Sequence, residues 1–181
     1  MSTTLSGGNF MKTILFALLS GLLLTGCQSS QSTETIPAVR SFQLERYLGT
    51  WYEIARLPHK FERGMTDVSA VYTLQENGKV QVVNSGIKNG KPRSIRGVAH
   101  FKGESSVGEL RVSFFRPFYG DYRIIALSPD YSCAIVTSST REYLWILARE
   151  KKLPDAELQK LLEQIRKWGF DTSKLEYPQT K

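Results

Sequence analysis

Few of the residues that usually build reactive centres are present in this 181-residue sequence. It has two cysteines, Cys27 and Cys133, and two histidines, His59 and His100. There is no zinc-type spacing and no Gly-x-Ser-x-Gly elbow for a nucleophilic serine. No metal, no cofactor and no acid/base pair are therefore expected, and both histidines read as loop or surface residues. A glycine-rich phosphate loop is missing, as is any dense run of Lys and Arg. The net charge of +7 is scattered among acidic residues, which counts against nucleic acid and suits carboxylates, phosphates or lipid headgroups. No apolar run reaches the roughly 20 residues that a membrane-crossing helix needs. The length suits one domain with a single core.

What is present begins at residues 11–30, "MKTILFALLSGLLLTGCQSS". A basic Lys12, an apolar run from Ile14 to Leu24 and small residues before Cys27 form a secretion signal. Leu24-Thr25-Gly26-Cys27 resembles the bacterial lipoprotein cleavage box, which implies a diacylated Cys27 and an acylated new N-terminus. Several acyl chains make a stable anchor. The alternative is a plain secretory peptide with an incidental cysteine. By the same resemblance, Gln28 after the cysteine implies export to the outer membrane. Residues 1–10 lack signal character and read as an upstream extension or alternative start. The expected organisation is a signal peptide over 11–26, a lipidated flexible tether over 27–38 and one folded domain over 39–181. A thioether at Cys27 leaves Cys133 as a free thiol.

From Trp51 to Arg149 the chain breaks into eight short β-rich runs: Trp51 to Leu57, Ser69 to Gln75, Lys79 to Ile87, Arg93 to Lys102, Glu109 to Phe115, Asp121 to Leu127, Cys133 to Thr137 and Glu142 to Arg149. Turn chemistry such as "ENG" and "KNGKP" separates them. The period then changes. "LPDAELQKLLEQIRKWGF" places Leu158, Leu161, Leu162, Ile165 and Trp168 on one helical face, with Pro154 opening the helix and Gly169 closing it. Eight antiparallel strands and one amphipathic helix packed outside suit an all-β, up-and-down barrel around one small ligand, with a sandwich as the alternative. Closure sets the first strand beside the last. Trp51 and Arg149 then meet at one end, where a cation–π stack would seal a floor and Gly49 would let the chain turn.

Gly49-x-Trp51, the Asp130-Tyr131 pair and Arg149 after "LWILA" resemble the three sequence signatures of the lipocalin family. The longer stretches "GTWYEIARLPHKFERG", "VSFFRPFYG" and "YLWILARE" are similar to bacterial outer-membrane lipocalins, relatives of apolipoprotein D. This resemblance spans about residues 42 to 178. One departure is Pro129, where the family usually has threonine before Asp-Tyr.

Alternation from Trp51 and Arg149 turns Glu53, Ala55, Tyr143, Trp145 and Leu147 inward. Matching the family's inward positions implies Ala70, Tyr72, Val80, Val82, Asn84, Gly97, Ala99, Phe101, Val112, Phe114, Tyr122, Ile124, Ala126, Cys133, Ile135 and Thr137 as well. From these, the expected ligand cavity comprises Ala55, Ala70, Tyr72, Val82, Asn84, Ala99, Phe114, Tyr122, Ile124, Tyr143 and Trp145. The barrel floor comprises Gly49, Trp51 and Arg149. Loops opposite the floor form a basic mouth in which Lys88, Lys91, Arg93 and Arg116 would receive an anionic headgroup. The expectation is a non-enzymatic, lipid-anchored protein of the bacterial outer membrane, facing the periplasm, that binds, stores or transports fatty acids or lysophospholipids. Two alternatives stay open: an envelope enzyme acting on a lipophilic substrate through Cys133, and a filled structural barrel. Pairing of two barrels into a homodimer also stays open.

Overall fold

The computed structural model describes residues 31–179. The expected signal peptide and the lipidation site at Cys27 lie outside the described residues. Within them, eight strands close in sequential order into an antiparallel barrel. They are β1 Gly49–Arg56, β2 Met65–Leu74, β3 Val80–Lys88, β4 Lys91–Phe101, β5 Glu109–Phe115, β6 Phe118–Leu127, β7 Cys133–Thr137 and β8 Leu144–Ala148. A four-residue helix, α1 Leu44–Tyr47, precedes the barrel and α2 Asp155–Lys167 follows it. The helix α1 is too short to leave a periodic signature in the sequence.

Two apolar groups hold the fold, one on each side of the barrel wall. Inside lie Trp51, Tyr72, Val80, Val82, Ala99 and Ile124, among others. Outside, Leu162 and Ile165 of α2 are buried against Ile54, Ile125, Ile135 and Ile146. Truncating either helix residue to alanine would cost about 2 to 5 kcal/mol. Asp155 and Glu157 in the first turn, and Arg166 and Lys167 in the last, complement the helix dipole.

The wall is not regular, and its irregularities correct the expected lining. Register slips between Glu53 and Ala55, so that Ala55 faces Ile146 and Arg56 faces Trp145. Ala55 consequently joins the outer group beneath α2, and Arg56 turns inward. A second slip between Ile124 and Ala126 sends Ala126 outward and Leu127 inward. In β7, Ala134 and Val136 are the inward residues, opposite Leu147 and Trp145. Cys133 and Ile135 belong to the outer group, and Thr137 pairs with outward Leu144. All five β7 side chains are buried, so no polar alternation marks its faces.

The stretch over 31–38 also departs from the expected flexible tether. Arg123 donates to Thr33 O at 2.6 Å, to Thr33 Oγ1 at 2.8 Å and to Ile36 O at 2.8 Å. Thr33 and Ile36 are buried, and the Val39 amide donates to Ile124 O. This guanidinium, also bonded to Glu109, makes the segment part of the barrel's outer surface.

At the other terminus the chain mends a gap in the wall. Strands β1 and β2 pair only over Gly49–Tyr52 and Ser69–Tyr72. Beyond that point Arg56 and Glu176 exchange backbone hydrogen bonds, the Asp67 amide donates to Pro178 O, and the Gln179 side chain donates to Glu53 O and Val68 O. These donors and acceptors, stranded where β1 and β2 part, would otherwise cost free energy.

Candidate ligand site in the barrel

The floor is built around Arg149, whose Cζ lies 3.9 Å from the Trp51 ring centroid. Its guanidinium donates to Thr50 O at 2.7 Å, Arg46 O at 2.8 Å, Leu48 O at 2.9 Å and Tyr131 O at 3.3 Å. Gly49 has φ +90°, and a Cβ there would stand 3.6 Å from the Arg149 guanidinium. The left-handed backbone, more than the space, requires glycine. Trp51 Nε1 donates to Tyr47 O at 2.8 Å, which satisfies the one polar atom of a fully buried indole.

Above the floor three phenols meet. The Tyr122 hydroxyl lies 2.7 Å from that of Tyr47 and 2.9 Å from that of Tyr72. Burial pushes Tyr72 up to about 12 and holds Tyr47 and Tyr122 well above the ordinary phenol range. All three are thus neutral, and two contacts among three hydroxyls leave one O–H free to donate into the barrel.

Nearer the mouth lies a charged group that sequence reasoning missed. Arg56 Nη1 bonds Glu53 Oε1 at 2.7 Å, and Nη2 reaches Glu62 O at 2.9 Å. Arg56 also pairs with Glu176. His59 Nε2 lies 2.8 Å from Glu62 Oε2, and Trp145 Nε1 donates to the same oxygen at 3.2 Å. Burial, with the neighbouring Glu62 charge, pushes the Glu53 carboxyl up to about 8 despite Arg56. Burial would also raise Glu62, but its His59 and Trp145 partners and Arg56 outweigh that and hold it low. The two carboxyl groups are thereby driven apart, Glu53 upward and Glu62 downward. His59, expected at the surface, is buried. Only a bulge brings Arg56 inside, so strict alternation conceals it.

Of the expected cavity residues, Ala70, Tyr72, Val82, Ala99 and Ile124 are buried in the interior group, with Phe114, Tyr122 and Trp145 packed against it. Tyr143 stacks on Trp145 with centroids 5.9 Å apart. Asn84 faces Ala70 across β2 and β3, and its Oδ1 is buried without a hydrogen-bond partner. Asn84, Val112, Phe114, Tyr122 and Trp145 remain partly accessible. All five lie on the interior face of the barrel, beside β3, β5, β6 and β8. Ala55 contributes nothing to it.

Lys88 and Lys91 pair at the tip of the β3–β4 hairpin, Arg93 follows, and Arg116 occupies the β5–β6 turn. All four stand at the open end, opposite Arg149. Cys133 is outside the lumen, in a cleft of about 200 Å³ between the wall and α2 lined also by Glu157 and Leu161. Burial first, and the Glu157 charge second, push its thiol up to about 12. A protonated thiol outside the cavity is a poor nucleophile.

The lipocalin-like domain family matches residues 42–180. Outer membrane lipoprotein Blc of Citrobacter freundii is 40% identical over 164 residues, covering 90% of this chain and 93% of that protein. Apolipoprotein D of Mus musculus is 32% identical over 148 residues, covering 77% of each. Among solved structures, insecticyanin from the tobacco hornworm Manduca sexta superposes with a TM-score of 0.67 at 21% identity, over 81% of this chain and 85% of that one. That last likeness concerns the fold alone.

Proposed function

Because the chain belongs to the lipocalin-like family, we propose that it is a lipid-binding protein that takes up fatty acids or lysophospholipids in its barrel at the bacterial envelope. It is a binding protein, not an enzyme. Its relatives named outer membrane lipoproteins, with the cleavage box at Cys27, support anchoring to the outer membrane through acyl chains, facing the periplasm. Gln28 supports the same destination.

The observation that carries the ligand reading is Asn84. Its buried Oδ1 has no partner and shares the interior face with Ala70 and Val82. A buried acceptor left unpaired costs about 1 to 3 kcal/mol, and the glycerol hydroxyl of a lysophospholipid would supply the missing donor. Phe114, Tyr122 and Trp145 offer apolar surface to an acyl chain. The free tyrosine O–H deeper in the barrel would donate to a carboxylate.

The test is a titration of the chain beginning at Gln28, which keeps every described residue, with lysophospholipid and fatty acid while tryptophan fluorescence is followed. Trp145 should report occupancy, because its indole is bonded to Glu62 at the lumen. A saturable change that vanishes in Trp145→Phe and weakens in Asn84→Trp supports the carrier reading. No saturable binding by folded protein free of co-purified lipid would leave the filled structural barrel. The position of Cys133 removes the support for an enzyme working through that thiol.

A further inference from the structure

Three large apolar side chains stand uncovered at the open end of the barrel. Phe61, in the loop between β1 and β2, is 69% exposed; Phe115 and Phe118, which pair across the two-residue β5–β6 turn, are 63% and 77% exposed. Phe42 and Phe170, by contrast, are buried. Three exposed rings at one end of a barrel suit a broad apolar partner.

Basic side chains share this end of the barrel. Lys60, Arg63, Lys91, Arg93 and Arg116 are exposed, and among the described residues no ion pair engages them. The acidic side chains of this end are largely occupied: Glu62 is buried on His59 and Trp145, and Asp121 stands within 4.0 Å of Lys102 and Arg111. Glu142 alone is counted as exposed among the acids of the mouth loops. Aromatic rings flanked by cationic side chains suit the boundary between acyl chains and anionic headgroups.

The course of the N-terminal segment points the same way. Arg141 N donates to Gln31 O, Ser32 bridges Thr140, and Thr33 N donates to Ser139 O. The chain thus enters the described fold beside the β7–β8 loop, which belongs to the open end. Three residues separate Gln31 from Cys27, a reach of at most about 14 Å even when extended. If acyl chains hold Cys27, they hold the mouth and not the floor next to the bilayer.

We propose that the open end docks on an anionic phospholipid bilayer, with Phe61, Phe115 and Phe118 entering the interface and Lys60, Arg63, Lys91, Arg93 and Arg116 meeting headgroup phosphates. The anchor argument rests on the lipidation reading above; the aromatic and basic surface does not. Docked in this way, the lumen opens onto the membrane, and a single-chain lipid enters without crossing water.

The experiment uses the unlipidated chain beginning at Gln28, floated with vesicles of phosphatidylethanolamine containing phosphatidylglycerol and, separately, with pure phosphatidylcholine. Binding to the anionic vesicles is expected to exceed binding to the neutral ones. It should fall by about tenfold or more in Phe61→Ser/Phe115→Ser/Phe118→Ser and in Lys91→Glu/Arg93→Glu/Arg116→Glu. All six positions are exposed, and an unchanged urea midpoint verifies folding. An environment-sensitive dye on Phe118→Cys should shift to the blue on docking, while the same dye on Leu74→Cys, at the floor end, should not; Cys133 is buried. Equal binding to both vesicle types, no binding to either, undiminished binding of the aromatic variant, or a shift at position 74 would each overturn the proposal. Titration of the same variants with monomeric lysophospholipid separates the two readings. Lost docking with intact uptake in these variants supports a docking surface separate from the lumen, whereas a parent chain that takes up lysophospholipid but does not dock refutes the docking surface alone, and one that docks but takes up none refutes the carrier alone.

Discussion

Replacing Arg149 with methionine tests the floor of the barrel. The substitution keeps much of the side chain's apolar stem but removes four donated hydrogen bonds, to Arg46, Leu48, Thr50 and Tyr131, and the stack on Trp51. A hydrogen bond from a charged donor is worth about 1.5 to 3 kcal/mol where water is excluded. The acceptors here lie at the edge of the barrel, where water can replace the lost donor, so the four together contribute about 2 to 3 kcal/mol. The cation–π contact adds about 1 kcal/mol. A total loss of about 3 to 4 kcal/mol would lower the urea midpoint by about 1.5 to 2 M at a typical m-value near 2 kcal/mol/M. Arg149→Lys should recover little, because an ammonium cannot span carbonyls on three sides with a planar fork. A loss below about 1 kcal/mol for Arg149→Met, or full rescue by lysine, would refute the floor as a stabilising clamp.

Glu53 gives a pH signature. Its carboxyl is pushed up to about 8 in the fold, so the folded state holds the proton more tightly than the unfolded chain. Its contribution to stability is whole below the ordinary carboxylate range and is lost as pH rises through about 8. Glu53→Gln should flatten the decline in urea midpoint over that interval, and identical slopes for variant and parent would count against a raised Glu53 pKa. Ending the chain before Leu175 removes the bridge to Arg56 and the Gln179 contacts; hydrogen exchange should accelerate at the Arg56 and Asp67 amides by about tenfold or more while Trp51 stays protected, and unchanged exchange at those two amides would refute the role of the tail. Cys133 in the chain beginning at Gln28 should react with Ellman's reagent only as the protein unfolds. Rapid labelling of the native state would contradict its burial.

Arg56 shows why a wall of correct strands can still have an incorrect lining. The eight strands were legible because each is short, β-rich and ended by turn residues, and α2 was legible because Leu162 and Ile165 recur at helical spacing. Inward and outward faces are a weaker signal. One bulged residue between Glu53 and Ala55 exchanges an alanine for an arginine inside the barrel, and the uniformly buried "CAIVT" of β7 offers nothing by which to choose a face. The segment over 31–38 misled for a related reason. Its polar composition is that of a tether, but its backbone carbonyls are acceptors for Arg123, whose position cannot be inferred from the segment itself. His59 was read as a loop or surface residue, and its loop turns out to fold over Trp145.

The sequence by itself determined the order of the strands, the helix outside the sheet and the seam between Trp51 and Arg149. Periodicity, turn chemistry and short motifs are local properties, and closure of eight strands in sequence leaves little freedom for the rest. Tertiary structure alone decided the site. It set which side of each slipped strand meets the lumen, joined Glu53, Arg56, His59 and Glu62 into one buried charged group, brought three tyrosine hydroxyls together and left Asn84 unpaired. It also gathered Phe61, Phe115 and Phe118 at the end where the N-terminal segment emerges. These relations depend on register and chain crossing over many residues, where a shift of one position reverses every face, and no local pattern records them.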